Sequence, residues 1–224
     1  MLRNFIKKIH IIHNIYIKHG FLVKKKSYAM DKEDLAILDH VKNYKSGFYV
    51  DVGCYHPIHR NNTYLLYKKN WRGVNIDLSE FSIDLFNFLR PDDCNIVAAI
   101  SNKKSKSKIY YQKKLSQLTT LSEEQSKKVF QGNIKIKEIE TSTINEILSK
   151  TKYANSNIDF LNIDIEGLDF EALQGLNFEK YDPQLICIEV HDFKVEDSKV
   201  YDFLKKKNYK LVWSGTFSHL FKKN

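Results

Sequence analysis

The sequence predicts an α/β fold built on a mostly parallel, seven-stranded sheet with helices on both faces. Short apolar runs alternate with helical patterns over most of the chain, which is typical of such a sheet. The first run, 48–52, is apolar enough to be buried on both faces and ends at Gly53. A second run ends on an acid, Asp77, 24 residues beyond Gly53. These two runs and the segment between them predict the first βαβ unit of the sheet.

The strands follow one another along the chain as short apolar runs separated by turns or helical patterns. Polar and glycine- or proline-containing segments bound most of them, as expected at strand ends. The last two runs are close enough in sequence to form a terminal pair. The predicted strands are 48–52, 73–77, 95–100, 158–164, 185–190, 209–213 and 218–221.

Helices are predicted where apolar residues recur every three or four positions. Residues 31–45 keep such an apolar face and begin with Asp31, a residue type that can cap a helix. The other predicted helices are 63–67, 79–89, 143–148, 166–176 and 198–207.

The alternation of strands and helices is interrupted at 101–142. A polar turn there precedes a strand-like segment at 109–112, and residues 134–139 alternate like an edge strand. The chain between these segments is polar. We interpret 101–142 as a small β insertion that helps to cover the binding site.

The composition is that of a globular chain of 224 residues, long enough for one α/β core. Cys54, Cys94 and Cys187 are far apart and include no Cys-x-x-Cys pair, which argues against a disulfide framework or a zinc site. Such cysteine usage is typical of a reducing compartment, so we expect a cytoplasmic protein. The net charge of +9 suits nucleic acid, an acidic glycan or a membrane surface, but a lysine-rich composition gives it equally well.

Residues 1–46 are predicted to be a basic helical extension. Residues 1–30 contain no acid, and apolar residues recur there at helical spacing. This pattern fits an amphipathic helix that makes peripheral contact with an anionic membrane, or a helix that packs on its own domain. Neither a signal peptide nor a spanning helix is expected, because no cleavage site follows and no apolar run approaches about 18 residues. The basic residues of this segment are Arg3, Lys7, Lys8, Lys18, Lys24, Lys25 and Lys26.

The turn after the first strand has the chemistry of a nucleoside-binding site. Gly53 is its only glycine, and Tyr55 and Pro57 occupy positions where a pyrophosphate would need open backbone. Asp51 would repel a phosphate and attract a sulfonium or an amino group. Asp77 is placed to accept hydrogen bonds from both hydroxyls of a ribose. The turn therefore favours S-adenosylmethionine over NAD, the alternative being an ordinary βα turn.

Acidic residues also end the later strands. Asp164 and Glu166 follow the strand 158–164, and Asp164 would cost free energy there unless it is paired or used. Glu189 and His191 follow the strand 185–190 in the same way. Since ligands of such sheets bind at the carboxyl ends of the strands, we expect these side chains to meet near the first turn.

Four segments together resemble the FkbM-type methyltransferases. They are YVDVGCYH at 49–56, NID at 75–77, TINEIL at 143–148 and FLNIDIEGLDFEALQG at 160–175. The resemblance implies a Rossmann-like class I methyltransferase domain at 47–224. It also implies a methyl transfer from S-adenosylmethionine, often to a hydroxyl of a sugar or natural product. The acceptor is then a small molecule or a glycan.

The resemblance assigns roles to residues of the motifs. Asp51 and Gly53 belong to the first cofactor motif, and Asp77 binds the ribose. Pro57 departs from the small residue usual near this position, and polar groups of the loop 56–63 could serve cofactor or substrate. The residues expected to bind the cofactor are Asp51, Gly53, Cys54, Tyr55, His56, Asp77 and Leu78.

The reaction needs an aligned hydroxyl and a group that takes its proton. His191 is the expected base because histidine titrates near neutral pH, and Asp164 and Glu166 are expected beside the reacting centre. A Mg²⁺ ion held by oxygen ligands such as Asp164 and Glu189 is a second way to lower the pKa of the hydroxyl.

Two other functions remain open. One is an RNA-binding methyltransferase, which the charge favours, although the lysines are dispersed and no aromatic stacking motif accompanies them. The motifs for methylating an exocyclic amine or cytosine C5 are also absent, so nucleic acid is not the expected partner. The other is a scaffold that binds the cofactor without catalysis.

Overall fold

The computed structural model describes residues 2–112, 120–121 and 123–224, with the side chains of 2, 3 and 125 also left out. The part of the predicted insertion at 113–119 and 122 therefore lies outside the described residues. The helices are α1 Leu2–Ile12, α2 Glu33–His40, α3 Tyr64–Lys68, α4 Glu80–Leu89, α5 Glu123–Val129, α6 Ile144–Leu148, α7 Asp169–Gln174, α8 Phe178–Tyr181 and α9 Lys199–Lys206, with a π-helical turn at His13–Lys18 and a 3₁₀ turn at Val195–Asp197. The strands are β1 Phe48–Val52, β2 Arg72–Asp77, β3 Cys94–Val97, β4 Ala99–Ile100, β5 Lys106–Tyr111, β6 Lys135–Ser142, β7 Phe160–Ile163, β8 Leu185–Glu189, β9 Tyr209–Ser214 and β10 Ser218–Lys223.

Seven of the strands form one mostly parallel sheet, as predicted. Their order is β3-β2-β1-β7-β8-β10-β9, and β10 runs antiparallel to both of its neighbours. From β1 the chain adds β2 and β3 on one side, and it later adds β7 and β8 on the other. The carboxyl ends of β1 and β7 therefore meet at the point where the winding reverses, which is where ligands bind in open α/β sheets.

Helices cover both faces of this sheet. Successive side chains of β1 therefore alternate between two cores, one on each face. Val50 and Val52 pack in a core that includes residues of α6, α7, α8 and α9. Tyr49 packs in the opposite core with Ile37 of α2 and Leu66 of α3. All five residues of β1 are buried, which explains why its sequence is a nearly continuous apolar run.

The predicted insertion contains a second, three-stranded sheet of order β4-β6-β5. The strand predicted at 95–100 is divided between the two sheets. β3 pairs with β2, whereas Ala99 and Ile100 pair with Thr141 and Ser142 of β6. The sequence analysis missed α5 and α8, which are short.

The helix predicted at 166–176 begins later, at Asp169, because the chain first makes a tight turn. Glu166 and Gly167 have φ values of +56° and +100°. The carboxylate of Asp169 closes the turn by accepting hydrogen bonds from the backbone amides of Ile165 (2.8 Å) and Gly167 (3.1 Å).

The helix predicted at 31–45 is shorter than expected and is not capped by Asp31. It begins after Lys32, whose φ is +70°. Asp31 instead accepts a hydrogen bond from the backbone amide of Thr216 at 3.0 Å.

A buried arginine holds together the loop between β1 and α3. Arg90 has no exposed surface, and its guanidinium donates to Oγ1 of Thr63 (2.8 Å), to Oδ1 of Asn61 (2.7 Å) and to the carbonyl of Pro57. Thr63 in turn donates to the buried carboxylate of Asp51 at 2.7 Å. The three aromatic rings that surround the guanidinium within 5.5 Å are those of Tyr64, Tyr67 and Phe86.

Replacing this arginine is predicted to destabilise the whole domain. Arg90→Met should lower the free energy of unfolding by about 3–5 kcal/mol, because it leaves the buried Asp51 without a compensating charge. The matched control is Arg72→Met, which removes a partly exposed guanidinium paired with Asp92 at 3.3 Å and should cost about 1 kcal/mol. Urea unfolding measures both. Equal losses of stability in the two variants would contradict the central role of Arg90.

Candidate active site

The main cleft opens at the carboxyl ends of β1, β2 and β7. It encloses about 630 Å³, including its open mouth. Apolar side chains and polar groups contribute to its wall in similar measure. The cleft is lined by Val52, Gly53, Tyr55, Arg60, Ile76, Asp77, Leu78, Ala98, Ile100, Leu121, Asp164 and Ile165.

Gly53 is required by the close approach of two backbones. Its φ is +82°, and a Cβ atom at this position would lie 1.7 Å from the carbonyl oxygen of Asp164. Its amide donates to the carbonyl of Ile76 at 2.8 Å. Gly53 thus lets the ends of β1, β2 and β7 come together under the cleft.

Asp77 stands at the edge of the cleft and organises the turn. Its two carboxylate oxygens accept hydrogen bonds from the backbone amides of Tyr55 (2.8 Å) and Ser79 (2.7 Å). Burial raises the pKa of Asp77 to about 6, although these hydrogen bonds oppose the shift. Each oxygen keeps a further lone pair, so the carboxylate can still accept hydrogen bonds from a ligand.

The other residues of the predicted cofactor motif have different positions. Tyr55 and Leu78 line the main cleft with Gly53 and Asp77. Asp51 lies beneath the turn, where it accepts hydrogen bonds from Thr63 and Asn162. Its pKa is raised because it is buried. Cys54 is also buried, which raises the pKa of its thiol well above the usual range.

His56 does not line the main cleft, and its expected contact with the cofactor stays a prediction. Its ring is buried, with Nε2 at 2.8 Å from Oδ1 of Asn14. Its Nδ1 accepts hydrogen bonds from the backbone amides of Ile58 and His59, both at 3.1 Å. Burial lowers the pKa of His56 to about 2, so the ring is neutral and anchors the loop to the N-terminal segment.

A second, polar recess adjoins the main cleft and shares Gly53, Arg60 and Asp164 with it. Asp51 and Cys54, which do not reach the main cleft, line this recess. The sequence analysis included Asn61 and Asn62 only among the polar groups of the loop 56–63. It missed Asn162, which could have been noticed as a polar residue inside an apolar strand. The rest of its lining is formed by Met30, Glu33, Asn61, Asn62, Asn162, Glu189 and Ser218.

Glu166, Glu189 and His191 come together beside this recess. Their ligand atoms lie within 4.8 Å of one another, and Nε2 of His191 is 3.1 Å from Oε2 of Glu189. This contact with Glu189 raises the pKa of His191, while partial burial opposes the shift. The backbone of Glu166 has a positive φ, which sets the direction of its side chain. Among the described residues these three could gather around a cation, and they include Glu189 of the predicted pair Asp164 and Glu189.

Asp164 connects the two clefts, since it lines both of them. Its pKa is raised well above the usual range, first by burial and then by the nearby carboxylates of Glu189, Asp169 and Glu166. Burial and Glu189 also raise the pKa of Asp169, to about 7. Negative charge is concentrated at the ends of β7 and β8, which is typical of sites where a carboxylate is used.

Residues 51–211 match the family model described as the methyltransferase FkbM domain. The chain belongs to the FkbM methyltransferase family and carries a methyltransferase domain. The region matched includes both clefts except for Met30, Glu33 and Ser218.

One similar solved structure is that of a methyltransferase FkbM from Methylobacillus flagellatus KT. It shares 14% sequence identity with this chain at a TM-score of 0.48. The alignment covers 80% of this chain and 44% of that one, so this chain spans less than half the length of that protein. The comparison with curated proteins gave no match.

Substitution of Gly53 is predicted to destabilise the domain by more than the cost of placing a side chain in the left-handed backbone conformation. Gly53→Ala should cost about 1–2 kcal/mol for the left-handed backbone and about 1–3 kcal/mol more for the clash with Asp164. Gly132→Ala is the matched control, because its φ is +86° and nothing lies within 4 Å of the added Cβ. Chemical denaturation of both variants isolates the clash. If Gly53→Ala were no less stable than Gly132→Ala, the close approach would not constrain the site.

Proposed function

We propose that this protein transfers a methyl group from S-adenosylmethionine to a hydroxyl of a sugar, a glycan or a natural product. The observation that carries the proposal is the position of Asp77 beside an apolar slot at the winding reversal of the sheet. The membership of the FkbM family supports a methyltransferase. The cofactor, the acceptor and the residue roles below are proposals.

The main cleft fits the parts of S-adenosylmethionine. Ile76, Leu78 and Ala98 offer apolar surface to a flat adenine, and the free lone pairs of Asp77 suit the two ribose hydroxyls. Asp164, which also lines this cleft, lies among the carboxylates of Glu189, Asp169 and Glu166, and this acidic group favours a cation over a phosphate. When bound, the cofactor supplies a methyl group on a positively charged sulfur.

The polar recess supports an acceptor rich in hydroxyl groups. Asn62 donates to Oδ1 of Asn162 at 3.0 Å, and the recess also exposes Glu189 and Ser218. Amides and carboxylates arranged in this way can donate to and accept from sugar hydroxyls. Because the recess shares Asp164 with the main cleft, an acceptor held there lies next to the cofactor.

His191 is proposed to take the proton of the acceptor hydroxyl. Attack of the hydroxyl oxygen on the methyl carbon would break the carbon–sulfur bond and leave its electron pair on sulfur. The hydroxyl proton would pass to Nδ1 of His191, because Nε2 faces Oε2 of Glu189 at 3.1 Å, and Glu189 would stabilise the imidazolium through that contact. Glu166 and Asp164 position the acceptor.

Glu166, Glu189 and His191 could instead act together as ligands of a cation. Two carboxylates and an imidazole can bind a divalent cation such as Mn²⁺, or Mg²⁺ with fewer protein ligands. In that arrangement the cation, held by Glu166, Glu189 and His191, would lower the pKa of the acceptor hydroxyl.

The cofactor assignment predicts a specific loss of affinity at Asp77. Asp77→Ala should weaken S-adenosylmethionine binding by about 1–3 kcal/mol, because it removes charge-assisted hydrogen bonds. Binding to the wild type should also tighten as the pH rises through about 6, where Asp77 loses its proton and becomes the better acceptor. Isothermal titration calorimetry measures both effects.

The control for this experiment is Asp39→Ala, which removes an exposed carboxylate paired with Lys42. Its affinity for S-adenosylmethionine should match that of the wild type. Thermal unfolding of each variant shows whether the turn at Tyr55 is still folded. Tight binding of NAD by the wild type together with no binding of S-adenosylmethionine would overturn the cofactor assignment.

The role of His191 predicts a pH profile that depends on Glu189. His191→Ala should lower turnover by about 10²–10⁴-fold. In the wild type, turnover should rise with pH as His191 loses its proton, and the midpoint should lie above the usual histidine pKa because Glu189 holds that proton. Glu189→Gln should move the midpoint to lower pH.

The measurement is the pH dependence of the rate at saturating cofactor, with the histidine titration followed by NMR. A midpoint that Glu189→Gln leaves unmoved would contradict the general-base role. Loss of turnover with a chelator and its recovery with Mg²⁺ or Mn²⁺ would instead assign the cluster to a cation.

A further inference from the structure

The N-terminal segment packs on the domain through one side only. Ile11 of α1 and Ile15 of the π-helical turn are buried in a cluster with Ile58, Tyr64 and Leu85. This packing places one side of the segment against its own domain. It accounts for only part of the apolar surface that the segment carries.

The opposite side of the segment exposes a row of large apolar side chains. Phe5, Ile9, Ile12 and Tyr16 are spaced by four and three residues, so they lie along one side of the helix, away from Ile11. Phe5 is 62% exposed. Ile17 in the π-helical turn, and Leu22 and Val23 after it, are also exposed, at 71%, 79% and 58%. We call these seven residues the N-terminal apolar face.

The N-terminal apolar face is surrounded by positive charge. Residues 1–30 contain no acid. Lys8 and Lys18 are exposed on the helical part, and Lys24, Lys25 and Lys26 are exposed directly after Val23. An apolar face flanked by exposed lysines is complementary to a surface that has negative headgroups outside and hydrocarbon below.

We propose that the N-terminal apolar face binds an anionic membrane surface, with its apolar side chains below the headgroups and its lysines against the phosphates. A second copy of this chain is a poorer occupant, because pairing two such faces would bring two acid-free, lysine-bearing segments together. No helix in the described ranges is long and apolar enough to cross a membrane.

This binding would hold the main cleft close to the membrane surface. Asn14 contacts His56 at 2.8 Å, and the rings of His19 and His59 stack with their centroids 4.2 Å apart. His56 and His59 belong to the loop whose next residue, Arg60, lines both clefts. The segment is thus joined directly to the loop that forms the wall of the site.

The test is cosedimentation of the full chain with phosphatidylcholine vesicles that contain or lack phosphatidylserine. We expect binding only to the anionic vesicles and a strong decrease at high salt. Lys24→Gln/Lys25→Gln/Lys26→Gln should weaken binding about 100-fold, since each lysine near such a surface contributes about fivefold. Phe5→Ser/Ile9→Ser should weaken it by more than about tenfold.

Point variants are used because Ile11 and Ile15 belong to the core, so removing the segment would damage the fold. The matched control is Lys135→Gln/Ile136→Ser/Lys137→Gln, which changes an equally exposed Lys-Ile-Lys run on β6 that is followed by acids. It should leave vesicle binding unchanged. Thermal unfolding verifies that each variant is folded.

Absence of binding to anionic vesicles would overturn the proposal, as would equal losses in the control and the N-terminal variants. Sedimentation equilibrium tests the other occupant. A dimer that dissociates in Phe5→Ser/Ile9→Ser, without any vesicle binding, would show that the face is a contact between copies of this chain.

Discussion

The buried guanidinium of Arg90 is the interaction on which the rest of the site depends. It joins α4 to the loop after β1 through Thr63, Asn61 and the carbonyl of Pro57. A charge with no exposed surface is tolerated only when its hydrogen bonds and a compensating charge are in place. The hydrogen bonds that the two terminal nitrogens of Arg90 donate therefore fix the loop, and the loop forms one wall of both clefts.

Acidic side chains are buried close together at the carboxyl ends of the strands, and this crowding does not stabilise the core. Asp164 and Asp169 both have raised pKa values because they are buried near Glu189. In their charged form such groups oppose folding. The stability of the site therefore falls as the pH rises from the unfolded pKa of these groups through their raised folded pKa. A cationic ligand would relieve this repulsion, which agrees with the proposed sulfonium cofactor and with the alternative of a divalent cation.

The N-terminal segment joins two different surfaces. Its buried side completes a small core with Ile58 and Tyr64, and its exposed side carries the N-terminal apolar face. The segment is connected to the cleft by the neutral ring of His56, which packs near His19. Burial lowers the pKa of His19 to about 4, so these rings stay neutral near pH 7 and pack without charge repulsion.

The sequence by itself determined the sheet, the family and the strand ends that form the site. Apolar runs, the spacing from Gly53 to Asp77 and the FkbM motifs are local patterns. Local patterns predict strands and the order of those strands along the chain. They also located Asp77 and Leu78 in the cleft and His191 near Glu189.

Only the tertiary structure decided which of these side chains line the main cleft. His56 and Asp51 belong to the same motif as Gly53, but one contacts Asn14 and the other lies beneath the turn. The partners that turn them inward are 42 and 12 residues away in sequence, and no local pattern encodes such contacts. The burial of Arg90 was hidden for the same reason: an arginine at a helix end is usually exposed, and its surroundings appear only when the chain is packed.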